Sequence, residues 1–581
     1  MGATSPATNP PPAPPAVPKL ALSLTLSSGA VFFAALSIQI LGLVASVFLY
    51  KNIGIPYSGR VLLGTVQLFL LIGSSINGVG DLRLGTAYTY FLARGKSALD
   101  NTATYLVVRM LMVASAGLVI FLIAPLSIGG TSPIAAGNVE LTSLGIFAAL
   151  PILWSFSTVY NQMFIGQGNS LKAQYPGLVE ALARLPVLVY VSYHDPTIQG
   201  LTLAYVVGAT ASTLFSLPAV IPELRKFQRS EATRLFHFAW PLMGSLMLNY
   251  LVTNMIPLIV NASLGVAELT VFLAANGFRI LVLSLPAAVT TPLFPYLAGL
   301  HRQERYESLR RSTWQALRYS SMLLVPGVVA LVTYRYNFLN DLANASYAMA
   351  GAVPLAILVV GAIPLALSQI IQSSINATGR QRLELYITST QVAVLFGMVF
   401  LLLPPFGIFP RSQGLIAGSI AVLASSCAAL ALNTYFMERL IAVHIHIRSI
   451  VGITLSAAGS FGALWFVNRW HIFPVSKWYE LLAVVVLGFA VYFVVLALVG
   501  ELTREDVHRI GHQLGLPSRL VDLVGRACWR LSSPDLPSVD PSSTLALRQP
   551  ELPETFTGTT ELPSVEPLAT EPDEETHDPP R

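Results

Sequence analysis

The chain is 581 residues long, 54% hydrophobic and 11% charged, with a mean hydropathy of +0.64. A soluble chain of this length does not stay in solution with so little charge, which excludes ordinary soluble enzymes and nucleic-acid-binding proteins. Two cysteines, Cys427 and Cys528, exclude a disulfide framework and a thiolate metal site.

The net charge of +5 conceals a division. From Ser532 onward eleven acids stand against Arg548 and Arg581, so the tail carries −9 and the rest of the chain +14. That basic body fits cytoplasmic loops facing anionic lipid, and no nucleic-acid partner is expected.

In chain order, residues 1–19 are rich in Pro, Ala, Ser and Thr and read as a disordered cytoplasmic arm. Fourteen apolar stretches follow, at 30–50, 61–79, 104–125, 144–164, 173–193, 201–221, 236–260, 269–297, 316–332, 350–371, 385–403, 415–437, 450–467 and 478–499. Each is near the roughly 20 helical residues that cross a hydrocarbon core about 30 Å thick. The first is full length and follows a single charge, Lys19, so it reads as a retained helix and not a cleaved leader. After the last span, Thr503 and Asp506 have capping-box spacing, and Leu520, Val524, Ala527 and Leu531 form an apolar stripe. Residues 501–531 are therefore expected to form cytoplasmic amphipathic helices, on the inner leaflet or packed on the loops. Residues 532–581 read as a disordered acidic tail.

Lysine and arginine alternate with the parity of the loops. With the N-terminus inside, 22 fall in inner segments and 6 in outer ones. That split places both termini in the cytoplasm of a multi-pass cell-membrane protein.

An internal echo divides the spans. Gly54 and its neighbours resemble the segment around Gly265, and the segment opening at Gly168 resembles the one opening at Gly379, both at an offset of 211. The expected fold is all-α and polytopic. About 14 transmembrane helices form two six-helix bundles, 20–225 and 226–440, related by a pseudo-twofold along the membrane normal. Two extra helices follow in 441–500.

The run from Gly80 to Ala93, Gly-Asp-Leu-Arg-Leu-Gly-Thr-Ala-Tyr-Thr-Tyr-Phe-Leu-Ala, resembles the D-L-G-L-x-x-A signature after span 2 of polysaccharide transporters. Phe238-Ala-Trp-Pro-Leu, Pro295-Tyr-Leu-Ala-Gly, Asn344-Ala-Ser-Tyr-Ala and Leu502-Thr-Arg-Glu-Asp506 stand at matching places. The chain therefore resembles the Wzx-like flippases of the multidrug/oligosaccharidyl-lipid/polysaccharide (MOP) superfamily. The resemblance implies alternating access without a cofactor. A monomer would move a polyprenyl-phosphate-linked oligosaccharide, undecaprenyl or dolichyl, to the outer leaflet, alongside polysaccharide-assembly proteins and membrane lipid. Arg83 stands where that pattern has Gly, Asn254 lies near where it has an acid in span 7, and the Arg-Asp pairing of the peptidoglycan-lipid flippases is missing from span 1.

Charges inside spans are costly, so the few present need reasons. Arg184 lies near the middle of span 5, with Glu180 one turn away, and Arg279 lies roughly 15 Å below the outer end of span 8. Guanidinium groups there, one from each half, suit the pyrophosphate of a lipid-linked sugar. The competing reading is that Glu180 and Arg184, at i,i+4, only neutralise each other. Glu180 is also the candidate for ion coupling. Arg109 is expected to snorkel to the inner interface, with a lesser substrate role, and Arg318 and Glu480 to reach water at the rims. Asn249, Asn276, Gln39, Gln369 and Gln372 are candidate sugar-binding amides, against the alternative of interhelical bonding.

Neither His444/His446 nor His508/His512 has metal-ligand company, and no metal or catalytic group is expected. Asn261 and Asn344 fit the glycosylation pattern. A multidrug or cation antiporter is the alternative function, and the excess of in-span Arg over Glu counts against it. A membrane polymerase or ligase needs a large outer loop with catalytic groups. The longest outer loop, 126–143, carries only Glu140.

Overall fold

The computed structural model describes residues 18–54, 57–93, 98–127, 141–194, 196–224, 227–380, 382–404, 407–443, 447–470 and 478–502. The expected amphipathic helices beyond residue 502, the acidic tail, most of the N-terminal arm and all four histidines just named lie outside these residues. The elements of the first half are α1 (Pro18–Asn52), α2 (Tyr57–Asp81), α3 (Leu84–Ala93), α4 (Ala98–Ser127), α5 (Leu141–Gly166), α6 (Ser170–Ala173), α7 (Tyr175–His194) and α8 (Ile198–Val220). The second half holds α9 (Arg229–Leu264), α10 (Val266–Arg302), α11 (Tyr306–Thr333), α12 (Arg335–Leu342), α13 (Ala345–Ala377), α14 (Arg382–Leu402) and α15 (Gly414–Ile441). It is followed by α16 (Ile447–Arg469) and α17 (Trp478–Leu498).

Only helices occur among the described residues, as an apolar environment requires when each backbone group must be satisfied within its own segment. Eleven of them are long and apolar enough to cross a membrane, and α4, α5 and α7 stand where spans 3, 4 and 5 were expected. Pro151, Pro186, Pro218, Pro326, Pro354 and Pro364 sit inside helices, where packed neighbours tolerate them. Gly168 and Gly379, 211 residues apart, both take left-handed φ (77° and 81°) at the ends of α5 and α13. This matches the offset read in the sequence. The segment 57–93, which holds α2 and α3, is as long as the uninterrupted α10 of 37 residues. The break at Leu82 and Arg83 is therefore particular to the first half.

The two halves meet where α1 and α2 pack on α10, and where α2, α3 and α4 pack on α9. Near the α1–α2 connection, α2 approaches α10 so closely that a Cβ on Gly64 would lie 2.3 Å from the Val266 carbonyl oxygen. Backbone cannot move aside as a side chain can, so Gly64→Ala is expected to cost about 1–3 kcal/mol. A lowered melting temperature in detergent measures it.

The appended pair α16–α17 packs on α11. Arg318 is largely withdrawn from water, against expectation, with its side chain 15% exposed. Its Nε donates to Glu501 Oε1 at 3.0 Å, and a second nitrogen bonds the Glu501 carbonyl oxygen. The correction follows from chain geometry, because the residues after α17 return Glu501 to the rim of α11. Glu501→Gln keeps the shape and removes the charge, and should lower stability by about 1–3 kcal/mol in the same melting assay.

Candidate functional site

At the α2–α3 end the halves are joined by charge. Leu82 and Arg83 turn the chain between the helices with φ of 44° and 61°. Left-handed backbone costs an L-residue about 1–2 kcal/mol, which is why glycine usually fills such turns. The turn that the family pattern builds with Gly is thus kept here with Arg83, and its side chain is put to use. Its Nη2 donates to Glu384 Oε1 at 3.0 Å, from one half of the chain to the other. The second oxygen of Glu384 accepts from Asn376 Nδ2 at 2.7 Å. Further along α2 the seam continues. Tyr250 of α9 lies against Gly78, and Asn254 Nδ2 donates to Ser75 Oγ at 3.1 Å.

The α1–α2 end is closed by aromatic and backbone contacts. Gln67 Nε2 donates to Tyr50 Oη at 2.6 Å, and the Tyr50 and Tyr347 rings lie 5.3 Å apart. The Arg60 guanidinium stands 5.4 Å from the Tyr347 ring centre, and Thr270 Oγ1 donates to the Arg60 carbonyl at 2.8 Å. Contacts between the halves therefore form near both ends of α2.

Between those ends the in-span charges sort by partner. Arg184 lies 3.5 Å from Glu180 and 4.9 Å from the Tyr205 ring centre, while Trp154 Nε1 donates to Glu180 at 3.3 Å. The i,i+4 pairing weighed in the sequence is therefore formed. Arg109 does not snorkel. It is 1% exposed, pairs with Asp81, and donates to Asn77 Oδ1 at 2.7 Å. The physical reason is that α2 continues two residues beyond the expected span, so its terminal carboxylate lies inside the bundle.

Arg279 differs from these. Its Nη1 donates to Asn276 Oδ1 at 3.2 Å, and its Nε is buried with no partner. Among the described residues, Arg109, Arg184, Arg318 and Arg279 are the arginines expected in or at the rims of spans, and only Arg279 has no carboxylate beside it. One turn away on its face of α10, Ala275 and Val282 are buried.

The amides divide likewise. Gln39, Asn249, Gln369 and Gln372 make no side-chain hydrogen bond to another described residue, and Asn249 and Gln369 are exposed. Asn376 and Asn254 are committed to the seam. Asn344 caps α13 by accepting from the backbone of Ser346 and Tyr347, and Asn261 lies inside α9 with a buried Oδ1. Of the two glycosylation patterns, Asn344 thus serves as a helix cap. Among the described residues no cluster of His, Cys, Asp or Glu is placed to hold a metal.

The fold is similar to that of multi-pass membrane transporters of the MOP superfamily. Residues 96–348 match the family of polysaccharide biosynthesis proteins, so the polysaccharide-transporter resemblance read from the motifs is borne out. No curated protein matches the chain in sequence. Among solved structures, the lipid II flippase MurJ in an inward closed conformation is similar at a TM-score of 0.63 and 13% identity, with 81% of this chain and 97% of that one covered. A multidrug resistance MATE family transporter of the MOP superfamily in its outward-facing conformation gives a TM-score of 0.54 at 15% identity, covering 73% and 96%. A MOP superfamily transporter from Pyrococcus furiosus gives 0.53 at 14%, covering 72% and 98%.

Proposed function

We propose that the chain flips a lipid-linked oligosaccharide from the cytoplasmic to the outer leaflet of the cell membrane by alternating access. The observation that carries this reading is Arg279, a half-buried arginine with a buried, unpartnered Nε and no carboxylate beside it, on a helix that packs against both halves. A permanent cation there favours an anionic group, and a pyrophosphate offers oxygens for two parallel donors. Arg184, already tied to Glu180, plays a lesser part from the other half. Gln39, Asn249, Gln369 and Gln372 have unspent donors and acceptors for sugar hydroxyls. Glu180 is the in-span carboxylate assigned to ion coupling.

With both termini in the cytoplasm, the α2–α3 end faces inward. The Arg83–Glu384 pair then serves as an inner latch, and Tyr50, Tyr347 and Arg60 as an outer closure. Release of one closure at a time rocks the halves about the bound head group while the lipid tail stays in the bilayer. The protein acts as a monomer, beside the proteins that assemble the polysaccharide.

Ligand-induced stabilisation tests the substrate class. A polyprenyl-pyrophosphate glycan should raise the melting temperature of the purified protein, and cationic drugs should leave it unchanged. Stabilisation by cations alone would transfer the chain to the antiporter reading.

A further inference from the structure

The structure assigns Asp81 and Arg109 to a positioning role: together they hold the strained turn that aims Arg83 at Glu384. This rests on the reading of Arg83–Glu384 as an inner latch. Two consecutive left-handed residues, Leu82 and Arg83, do not persist unless their surroundings over-determine them. Asp81, the last residue of α2, stands immediately before that turn. Its Oδ2 reaches over the turn to the backbone N–H of Gly85 at 3.4 Å, in the first turn of α3. Its Oδ1 accepts from Tyr105 Oη at 2.7 Å and pairs with Arg109, both on α4.

Arg109 in turn is fixed from the far side by Asn77, one turn earlier on α2. Tyr105 stacks on Tyr88 of α3 with ring centres 4.9 Å apart, and Tyr88 Oη is 2.7 Å from Thr102 Oγ1. One carboxylate thus ties α2, α3 and α4 around two residues. Leu82 and Leu84 on either side of Arg83 are buried, so the turn cannot rotate without disturbing them.

A group that only held α4 to α2 would have no reason to span the break. Asp81 does span it, through Gly85. Loss of its charge would let Leu82 and Arg83 relax toward right-handed helix and carry the guanidinium off Glu384. The buried pair therefore acts through Arg83 and does not touch substrate, which reassigns Arg109 from the binding set.

The test is a double-mutant cycle in the full-length protein with Cys427 and Cys528 replaced by serine. Ser75→Cys, deeper than the latch on the inter-half seam, reports opening of the inner end by its rate of labelling with a membrane-impermeant maleimide applied from that side. Glu384→Gln and Asp81→Asn are each expected to raise the rate about fivefold, as loss of a partly exposed ion pair does. Asp81→Asn in the Glu384→Gln background should add nothing.

Multiplicative effects, or no effect of Asp81→Asn while Glu384→Gln raises the rate, would overturn the positioning role and leave the latch standing. No effect of Glu384→Gln would overturn the latch and the positioning role together. If Asp81→Asn fails to fold, Tyr105→Phe removes one bond from the same carboxylate and takes its place, with the same outcomes.

Discussion

Replacing Arg279 with alanine is expected to slow translocation of a pyrophosphate-linked glycan by about 10- to 100-fold while the protein still inserts and folds. A charge-assisted hydrogen bond contributes about 1.5–3 kcal/mol, and each 1.4 kcal/mol is roughly a factor of ten. Truncation leaves no orphaned carboxylate, because among the described residues the one bond that Arg279 makes is to Asn276. The effect should therefore appear in transport and not in stability. Arg279→Lys keeps the charge but loses the planar fork, and should fall between wild type and alanine.

Arg184→Ala behaves differently. It leaves Glu180 with only the hydrogen bond from Trp154 Nε1, so part of its cost is loss of stability. Arg184→Ala/Glu180→Gln should recover that part. Initial rates normalised to inserted protein, read beside melting temperatures, separate the two arginines.

Glu384→Gln is expected to shift the protein about fivefold toward states open at the α2–α3 end. The Arg83 and Glu384 side chains are 28% and 11% exposed, so the pair is worth on the order of 1 kcal/mol in water-accessible surroundings. Arg83→Gly should give the same shift, because glycine fits the left-handed turn and only the ion pair is lost. Exchanging the charges, Arg83→Glu with Glu384→Arg, should restore part of the closed population. Spin-label distances between Thr86 of α3 and Tyr386 of α14 measure it. A single variant that leaves the distribution unchanged would remove the pair from the gating scheme.

The sequence revealed the membrane body because apolar runs of about 20 residues and loop charge are local signals. The ends of the spans are not legible to within two or three residues, and the Arg83–Glu384 pair sits there. The sequence pattern leaves Asp81 and Glu384 just beyond apolar runs ending at 79 and beginning at 385. In the structure they close α2 and open α14. Once Asp81 was outside the span, Arg109 had no visible partner and snorkelling was the cheaper reading.

The departure of Arg83 from the glycine of the family pattern was the one available clue. It pointed to an unusual turn, yet its partner lies 301 residues away, beyond any periodicity. The i,i+4 spacing of Glu180 and Arg184, by contrast, is local, and the pairing it implied is formed. Arg279 was distinguished by its lack of an acidic neighbour within a turn. In the structure no carboxylate comes to it from another helix either, among the described residues.

The most direct measurement is translocation in vesicles holding only the purified protein and a fluorescent polyprenyl-pyrophosphate oligosaccharide. The label is quenched from outside as the lipid changes leaflet. The expected result is transfer by the wild-type protein at a rate that falls at least tenfold with Arg279→Ala and that an uncharged polyprenyl glycoside does not compete for. Equal rates for wild type and Arg279→Ala, or equal competition by the uncharged lipid, would contradict a flippase that recognises its substrate through pyrophosphate.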